Sequence, residues 1–121
     1  MRIEVRLVRK GWEKIASGNE IAWVRGQAHL GDEYLNTAAL AERFANVAAK
    51  RGMEGLDGLV SQLNGCWAAV VVCGDNVYLA VDHLRTIQLL YEQYCDINDY
   101  LLSDDLKTKV CSDMDMSLKV I

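Results

Sequence analysis

Apolar and charged residues alternate at the beginning of the chain. The alternating apolar residues are Ile3, Val5 and Leu7. This period of two predicts a half-buried strand over residues 2–9. Residues 11–20 carry two glycines and an asparagine and are interpreted as a turn region. A second strand is predicted over 21–28 and ends before Gly31 and Asp32.

A helical pattern follows over residues 37–51. Its apolar stripe consists of Leu40, Phe44, Val47 and Ala48. Asn36 or Thr37 is suited to cap its start, and Gly52 stands where a left-handed C-terminal cap belongs. A second, shorter helix is predicted over 56–63 from apolar residues spaced i, i+3, i+4 and i+7. The Asn64-Gly65 pair ends it.

The second half of the chain has the pattern of an antiparallel meander. Its predicted strands are 66–73, 77–81, 87–91 and 100–103. Turn residues separate them at 74–76, 82–86 and 96–99. The continuous apolar run in the first strand predicts burial on both faces. We expect these strands to form one sheet that packs through Trp67, Val71, Leu79 and Leu90.

These elements predict an α+β fold in which antiparallel sheets have helices packed outside them. We expect a single domain, 1–121, divided into N-terminal strands 1–30, helices 36–63, the meander 64–103 and a tail 104–121. One helical turn is expected around Leu106. The last ten residues have two interpretations, a final strand or a partly ordered tail. A strand buried on both faces implies a further layer, either a second sheet or another subunit.

Composition narrows the classes of partner. The 121 residues are 51% hydrophobic and 25% charged, which is usual for a globular domain. A net charge of −4 argues against nucleic acid or an anionic membrane surface as the main partner. No apolar run approaches the ~20 residues of a membrane-spanning helix. The alternating first six residues do not resemble the apolar core of a signal peptide, so we expect a cytoplasmic protein.

Cysteine and histidine are too scattered to predict a metal site. The cysteines are Cys66, Cys73, Cys95 and Cys111, without a C-x-x-C pair, and the histidines are His29 and His83. We interpret the cysteines as reduced, mostly buried thiols and predict no cofactor. Cys66 and Cys73 lie seven residues apart in a strand and should point to opposite faces. The spacing gives no support to a catalytic pair of a cysteine with His83.

Four segments of the chain resemble the sequence motifs of one known enzyme family. Residues 63–71, L-N-G-C-W-A-A-V-V, resemble the family's "L-x-G-x-F-A-F-A" strand. Residues 77–91 follow "L-x-L-A-R-D-x-x-G-x-K-P-L-Y-Y", although this chain contains no proline. Residues 102–107 resemble "S-S-E-x-K-A-L", and residues 24–28 are similar to "N-G-E-I-Y-N". Taken as an ordered series, these segments resemble the class II glutamine amidotransferase domains of asparagine synthetases. The ordered series, more than any single segment, carries the resemblance.

The resemblance implies a reduced N-terminal nucleophile hydrolase-like αββα sandwich. In that family the residue after the initiator methionine is a cysteine, whose thiol attacks the glutamine side-chain amide. Arg2 occupies that position here. By the same register Arg25 replaces the asparagine that helps to hold the oxyanion, and the family's "S-D-x-E" segment has no counterpart between Phe44 and Leu56. We therefore expect no catalytic residues and no glutaminase activity.

The register nominates four candidate ligand-binding residues, Arg25, Gly26, Asp82 and Arg85. Three of them have an alternative interpretation. Arg25 is either an edge or surface residue or an anion ligand, and Asp82 and Arg85 are either site residues or turn residues. The tryptophans Trp12, Trp23 and Trp67 either fill the core or line a pocket.

Two functions compete at this stage. In the first, the chain is a non-catalytic glutaminase-like domain that supports an asparagine-synthetase-like, ATP-dependent, amide-forming domain or subunit. In the second, it is a free-standing module that binds a small molecule or a peptide on the same scaffold. The missing helical cover on one sheet face predicts a homodimer or a synthetase partner.

Overall fold

The computed structural model describes residues 2–7, 9–82, 87, 90–93, 99–103 and 117–120. The elements, in chain order, are β1 (Arg2–Arg6), β2 (Trp12–Ser17), β3 (Glu20–Leu30), β4 (Glu33–Leu35), α1 (Thr37–Gln62), β5 (Leu63–Cys73), β6 (Asn76–Val81), β7 (Leu90–Gln93), β8 (Asp99–Ser103) and β9 (Ser117–Val120). The predicted α+β class is confirmed. The predicted turn at Leu106 lies outside the described residues.

The strands form two sheets. The large sheet has the order β2-β3-β5-β6-β9, with β4 paired to β3 beside it. All its pairs are antiparallel except β6 with β9. The small sheet has the order β1-β8-β7, in which β1 and β8 run parallel. Residues 117–120 are therefore a strand, which is one of the two interpretations of the last ten residues, and the rest of those ten residues lie outside the described part of the chain.

Helix α1 combines the two predicted helices. The Asn36 side chain caps its start by accepting a hydrogen bond of 2.9 Å from the Ala39 N–H. At Gly52 the backbone has φ 63° and ψ −151°, a conformation open almost only to glycine, and the helix kinks there. The prediction of a positive φ at Gly52 is confirmed. The chain does not leave the helix there, however, but resumes it as far as Gln62.

The interpretation of residues 11–20 as a turn region is wrong. Residues 12–17 form β2, which pairs with β3 along its full length. Only Gly11 and the Gly18-Asn19 turn at its ends match the expectation. Ile15 packs against the core beneath α1, and this tertiary contact stabilises a strand whose other side chains are mostly exposed. The short strand β4 was also not predicted.

The prediction that the meander forms one sheet is wrong. Strands β5 and β6 belong to the large sheet, whereas β7 and β8 join β1 in the small one. Trp67 and Val71 face α1, but Leu79 lies in the cluster on the opposite face, so these side chains do not share one core. The β7 strand begins at Leu90, three residues later than predicted, and the packing of the Leu90 side chain lies outside the described residues.

Strand β5 is buried on both faces over residues 67–73, as its apolar run predicts, but Cys66 at the start of that run is exposed. One face of the large sheet packs against α1 around Val24, Phe44, Leu56 and Trp67. On the other face Val70, Val72, Val77 and Leu79 form a second cluster, against which Val5 and Leu7 from the β1 segment pack. The further layer implied by the sequence is therefore a second sheet of the same chain. No helix in the described residues is long and apolar enough to cross a membrane.

Candidate functional site

Three of the four candidate residues lie around Trp67 at one end of the large sheet. Gly26 on β3 pairs directly with Trp67 on the central strand β5. Asp82, the residue after β6, flanks Trp67 on its other side. Arg25 is next to Gly26 and pairs with Ala68. Arg85 lies outside the described residues, so the structure brings together three of the four.

Gly26 allows the backbones of β3 and β5 to approach closely. Its φ of 97° is a conformation that residues with a side chain rarely adopt. A Cβ atom at this position would overlap the carbonyl oxygen of Cys66 and would lie 2.9 Å from the Cδ1 atom of Ile87. Gly65 on the facing strand is equally restricted, because its Cβ would overlap the carbonyl oxygen of Gln27. The two glycines therefore set the geometry of this sheet end.

The beginning of helix α1 is attached to the same position. Strand β2 pairs with β3 only as far as Arg25, and β4 pairs with β3 only from Ala28, so neither strand reaches Gly26. The Thr37 hydroxyl donates a hydrogen bond of 2.6 Å to the Gly26 carbonyl oxygen. This bond satisfies a backbone acceptor between the two strands and ties the first turn of α1 to the sheet.

Asp82 is buried, with 6% of its surface exposed. Its carboxylate Oδ2 accepts a hydrogen bond of 2.9 Å from the Trp67 N–H, and its own N–H donates to the Trp67 carbonyl oxygen at 3.1 Å. The carboxylate thus replaces a strand carbonyl as acceptor and allows the chain to leave the sheet after β6. A turn residue typically binds N–H groups of its own turn, whereas the donor of this hydrogen bond lies on the neighbouring strand β5.

The three tryptophans occupy different environments. Trp67 is buried beneath α1, with its ring centroid 5.6 Å from that of Phe44. Trp12 is partly buried, and Trp23 packs against the second cluster, with the Lys14 Nζ atom 5.5 Å from its ring centroid. The core interpretation is therefore confirmed for Trp67.

Arg25 is partly buried on the sheet face that points away from α1. Strand β3 has a partner on both sides at this residue, Trp12 on β2 and Ala68 on β5, so Arg25 is not on an edge strand. The surface-residue and anion-ligand interpretations stay predictions. The Arg25 side chain passes over Gly11, where a Cβ atom would lie 3.3 Å from the Arg25 Nε atom. On this face of β3 the residues before Arg25, Ile21 and Trp23, are apolar, whereas the residues after it are polar.

The polar end of this face is a cluster that the sequence analysis did not identify. We call it the polar patch, and its exposed members are Gln27, His29, Tyr34, Asn64 and Cys66. Gln27 pairs with Cys66, and His29 pairs with Asn64. The Tyr34 hydroxyl donates to the Gln27 Oε1 atom at 2.8 Å, and the Tyr34 and His29 rings lie 5.2 Å apart. Tyr34 is the exposed large hydrophobic residue of the described chain, at 53%.

The two described cysteines lie on opposite faces of β5, as predicted. Cys66 is exposed in the polar patch, whereas Cys73 is buried in the core beneath α1. Burial, together with the nearby Glu20 carboxylate, raises the pKa of the Cys73 thiol above its ordinary value. Cys73 is therefore a protonated thiol at neutral pH, and it donates a weak hydrogen bond to the Ala48 carbonyl oxygen. His83 lies outside the described residues.

A second polar contact, which is partly buried, connects α1 with β6. The Tyr78 hydroxyl donates a hydrogen bond of 2.7 Å to the Asp57 Oδ1 atom, and the Tyr78 side chain is fully buried. Burial, and then the hydrogen bond and negative charge of Asp57, raise the pKa of Tyr78 well above its usual value of 10.0. This contact fixes the part of α1 that follows Gly52 to the sheet.

The raised pKa of Tyr78 predicts a loss of stability at high pH. The folded chain retains the phenolic proton at pH values where the unfolded chain loses it. The contribution of Tyr78 to the free energy of unfolding is therefore fully present below about pH 10. Above that pH it decreases by about 1.4 kcal/mol per pH unit. The free energy of unfolding, measured in urea between pH 8 and 11, should show this decline. In Tyr78→Phe the decline should be smaller, and an equal decline in both proteins would contradict the assignment.

Within the described residues, no group of three or more His, Cys, Asp or Glu side chains is placed to hold a metal ion. Comparison with family models, with curated proteins and with solved structures finds no match to this chain. The candidate site is therefore defined by its own geometry, a sheet end organised around Trp67 by Gly26, Thr37 and Asp82.

Proposed function

We propose that this chain is a non-catalytic, glutamine-amidotransferase-like domain that supports an ATP-dependent amide-forming domain or subunit. One observation carries the proposal. Two segments that resemble the amidotransferase family, residues 24–28 and 63–71, lie on β3 and β5. Residues 77–81 of the third similar segment lie on β6, and the three strands are adjacent and antiparallel in the large sheet. In the sequence these segments are only ordered along the chain, with a helix of 26 residues between the first and the second.

The contacts between these segments add to that support. The glycine of residues 24–28 faces Trp67 of residues 63–71, and the aspartate of residues 77–91 binds the Trp67 backbone. If the short segments were similar to the family only by chance, there would be no reason for two of them to contact the third at the same residue, Trp67. The layer order is also compatible with the proposal, because α1 covers one face of the large sheet and the β1 segment covers the other. An αββα sandwich would have a further helical layer outside the small sheet.

The absence of catalysis is part of the proposal and depends on the thiols. The resemblance places its nucleophile at position 2, which holds Arg2, the first residue of β1. Cys73 is buried and protonated, and Cys66 is in the polar patch on the other face of β5. Losing the nucleophile of a covalent mechanism typically costs many orders of magnitude in rate.

We therefore expect no glutaminase activity. Incubation of the purified chain with glutamine should release no ammonia above the buffer control, with Cys66→Ala measured in parallel. Ammonia release by the wild-type chain that disappears in Cys66→Ala would contradict the proposal and identify Cys66 as a nucleophile. Equal release by both proteins would also contradict it and would direct the search to a different residue.

The support function has its own test. Intact-mass analysis and peptide sequencing of the native protein from its source should find this domain joined to, or in a stable complex with, a polypeptide that carries the ATP-binding loop "S-G-G-x-D-S". A native protein of 13.5 kDa without such a partner would contradict the support function and favour the free-standing binding module.

The predicted homodimer depends on an apolar sheet face without cover. In the described residues the side chains of that face, Val70, Val72, Val77 and Leu79, are at most 4% exposed within the single chain. These side chains are already covered within one chain, so they give no reason to expect a homodimer. The partner that we propose is therefore the synthetase-like domain or subunit. Sedimentation equilibrium separates the two, because a homodimer would show a mass that rises with concentration above 13.5 kDa.

A further inference from the structure

We draw no further inference here: the strongest candidate, the polar patch of Gln27, His29, Tyr34, Asn64 and Cys66 at the exposed end of the large sheet, carries nothing because nothing in the structure shows what covers or binds it.

Discussion

Replacing Gly26 with alanine should destabilise the protein by more than about 4 kcal/mol, which is exceptional for a single methyl group. Two costs add at this residue. A positive φ costs a residue with a side chain about 1–2 kcal/mol. The added Cβ would also overlap the Cys66 carbonyl oxygen, which is a backbone atom and cannot rotate away. Strands β3 and β5 would have to separate at this end of the large sheet.

Gly18→Ala is the matched control. Gly18 also has a positive φ, 62°, but a Cβ atom there would meet no other atom within 4 Å. This variant should lose only the conformational cost of about 1–2 kcal/mol. Urea unfolding followed by tryptophan fluorescence measures both variants. Equal losses in the two would contradict the close approach of β3 and β5, whereas a Gly26→Ala chain without a cooperative transition, beside a folded control, would agree with it.

Asp82→Ala should cost about 3 kcal/mol. The change removes a charge-assisted hydrogen bond and leaves the buried Trp67 N–H without the carboxylate that accepts from it. Asp82→Asn keeps an oxygen that can accept the same hydrogen bond, so its loss should be nearer to about 1 kcal/mol. If the missing acceptor matters most, Asp82→Ala loses more stability than Asp82→Asn. If the missing charge matters most, the two variants lose similar amounts.

Asp32→Ala is the control for Asp82, because Asp32 is exposed in the turn between β3 and β4. Its effect should stay within about 0.5 kcal/mol. Hydrogen exchange at the Trp67 amide provides a local measurement, since this proton should exchange faster in Asp82→Ala than in Asp82→Asn. Unchanged protection of the Trp67 amide in Asp82→Ala would contradict the role of the carboxylate as its acceptor.

Both variants also bear on the proposed function. Gly26 and Asp82 are the residues through which the family-like segments contact Trp67. In a non-catalytic domain the resemblance reflects a shared fold and not a shared active site. Both residues then act by holding strands together. A large loss of stability is then the expected result, and a partner that docks on this domain would be lost together with the fold.

The candidate site was partly predictable. The resemblance nominated Gly26 and Asp82, and both lie beside Trp67 in the structure, while ligand binding by them stays a prediction. It could not identify their partners, since the sequence does not show that Thr37 reaches back to the Gly26 carbonyl or that Asp82 binds a residue 15 positions earlier. The polar patch was missed for the same reason, because Gln27 and Cys66 become neighbours only when β3 pairs with β5.

The sequence by itself determined the elements whose signals are local. Asn36 caps α1, Gly52 interrupts it, and Gly74 begins the tight turn between β5 and β6. The apolar run of β5 showed that both of its faces are covered. Capping, glycine conformations and periodicity act between residues a few positions apart, so their effects can be recognised without knowledge of the fold.

Tertiary structure decided which strands pair and where the meander divides. Residues 12–17 form a strand because β3 lies beside them and the core lies beneath Ile15, although their own pattern indicates a turn. Strand β1 pairs with β8, which is more than 90 residues later in the chain. Strand β7 belongs to the small sheet because it pairs with β8. The physical reason is that strand pairing gains its free energy from contacts between distant segments, and many pairings are compatible with the same local pattern.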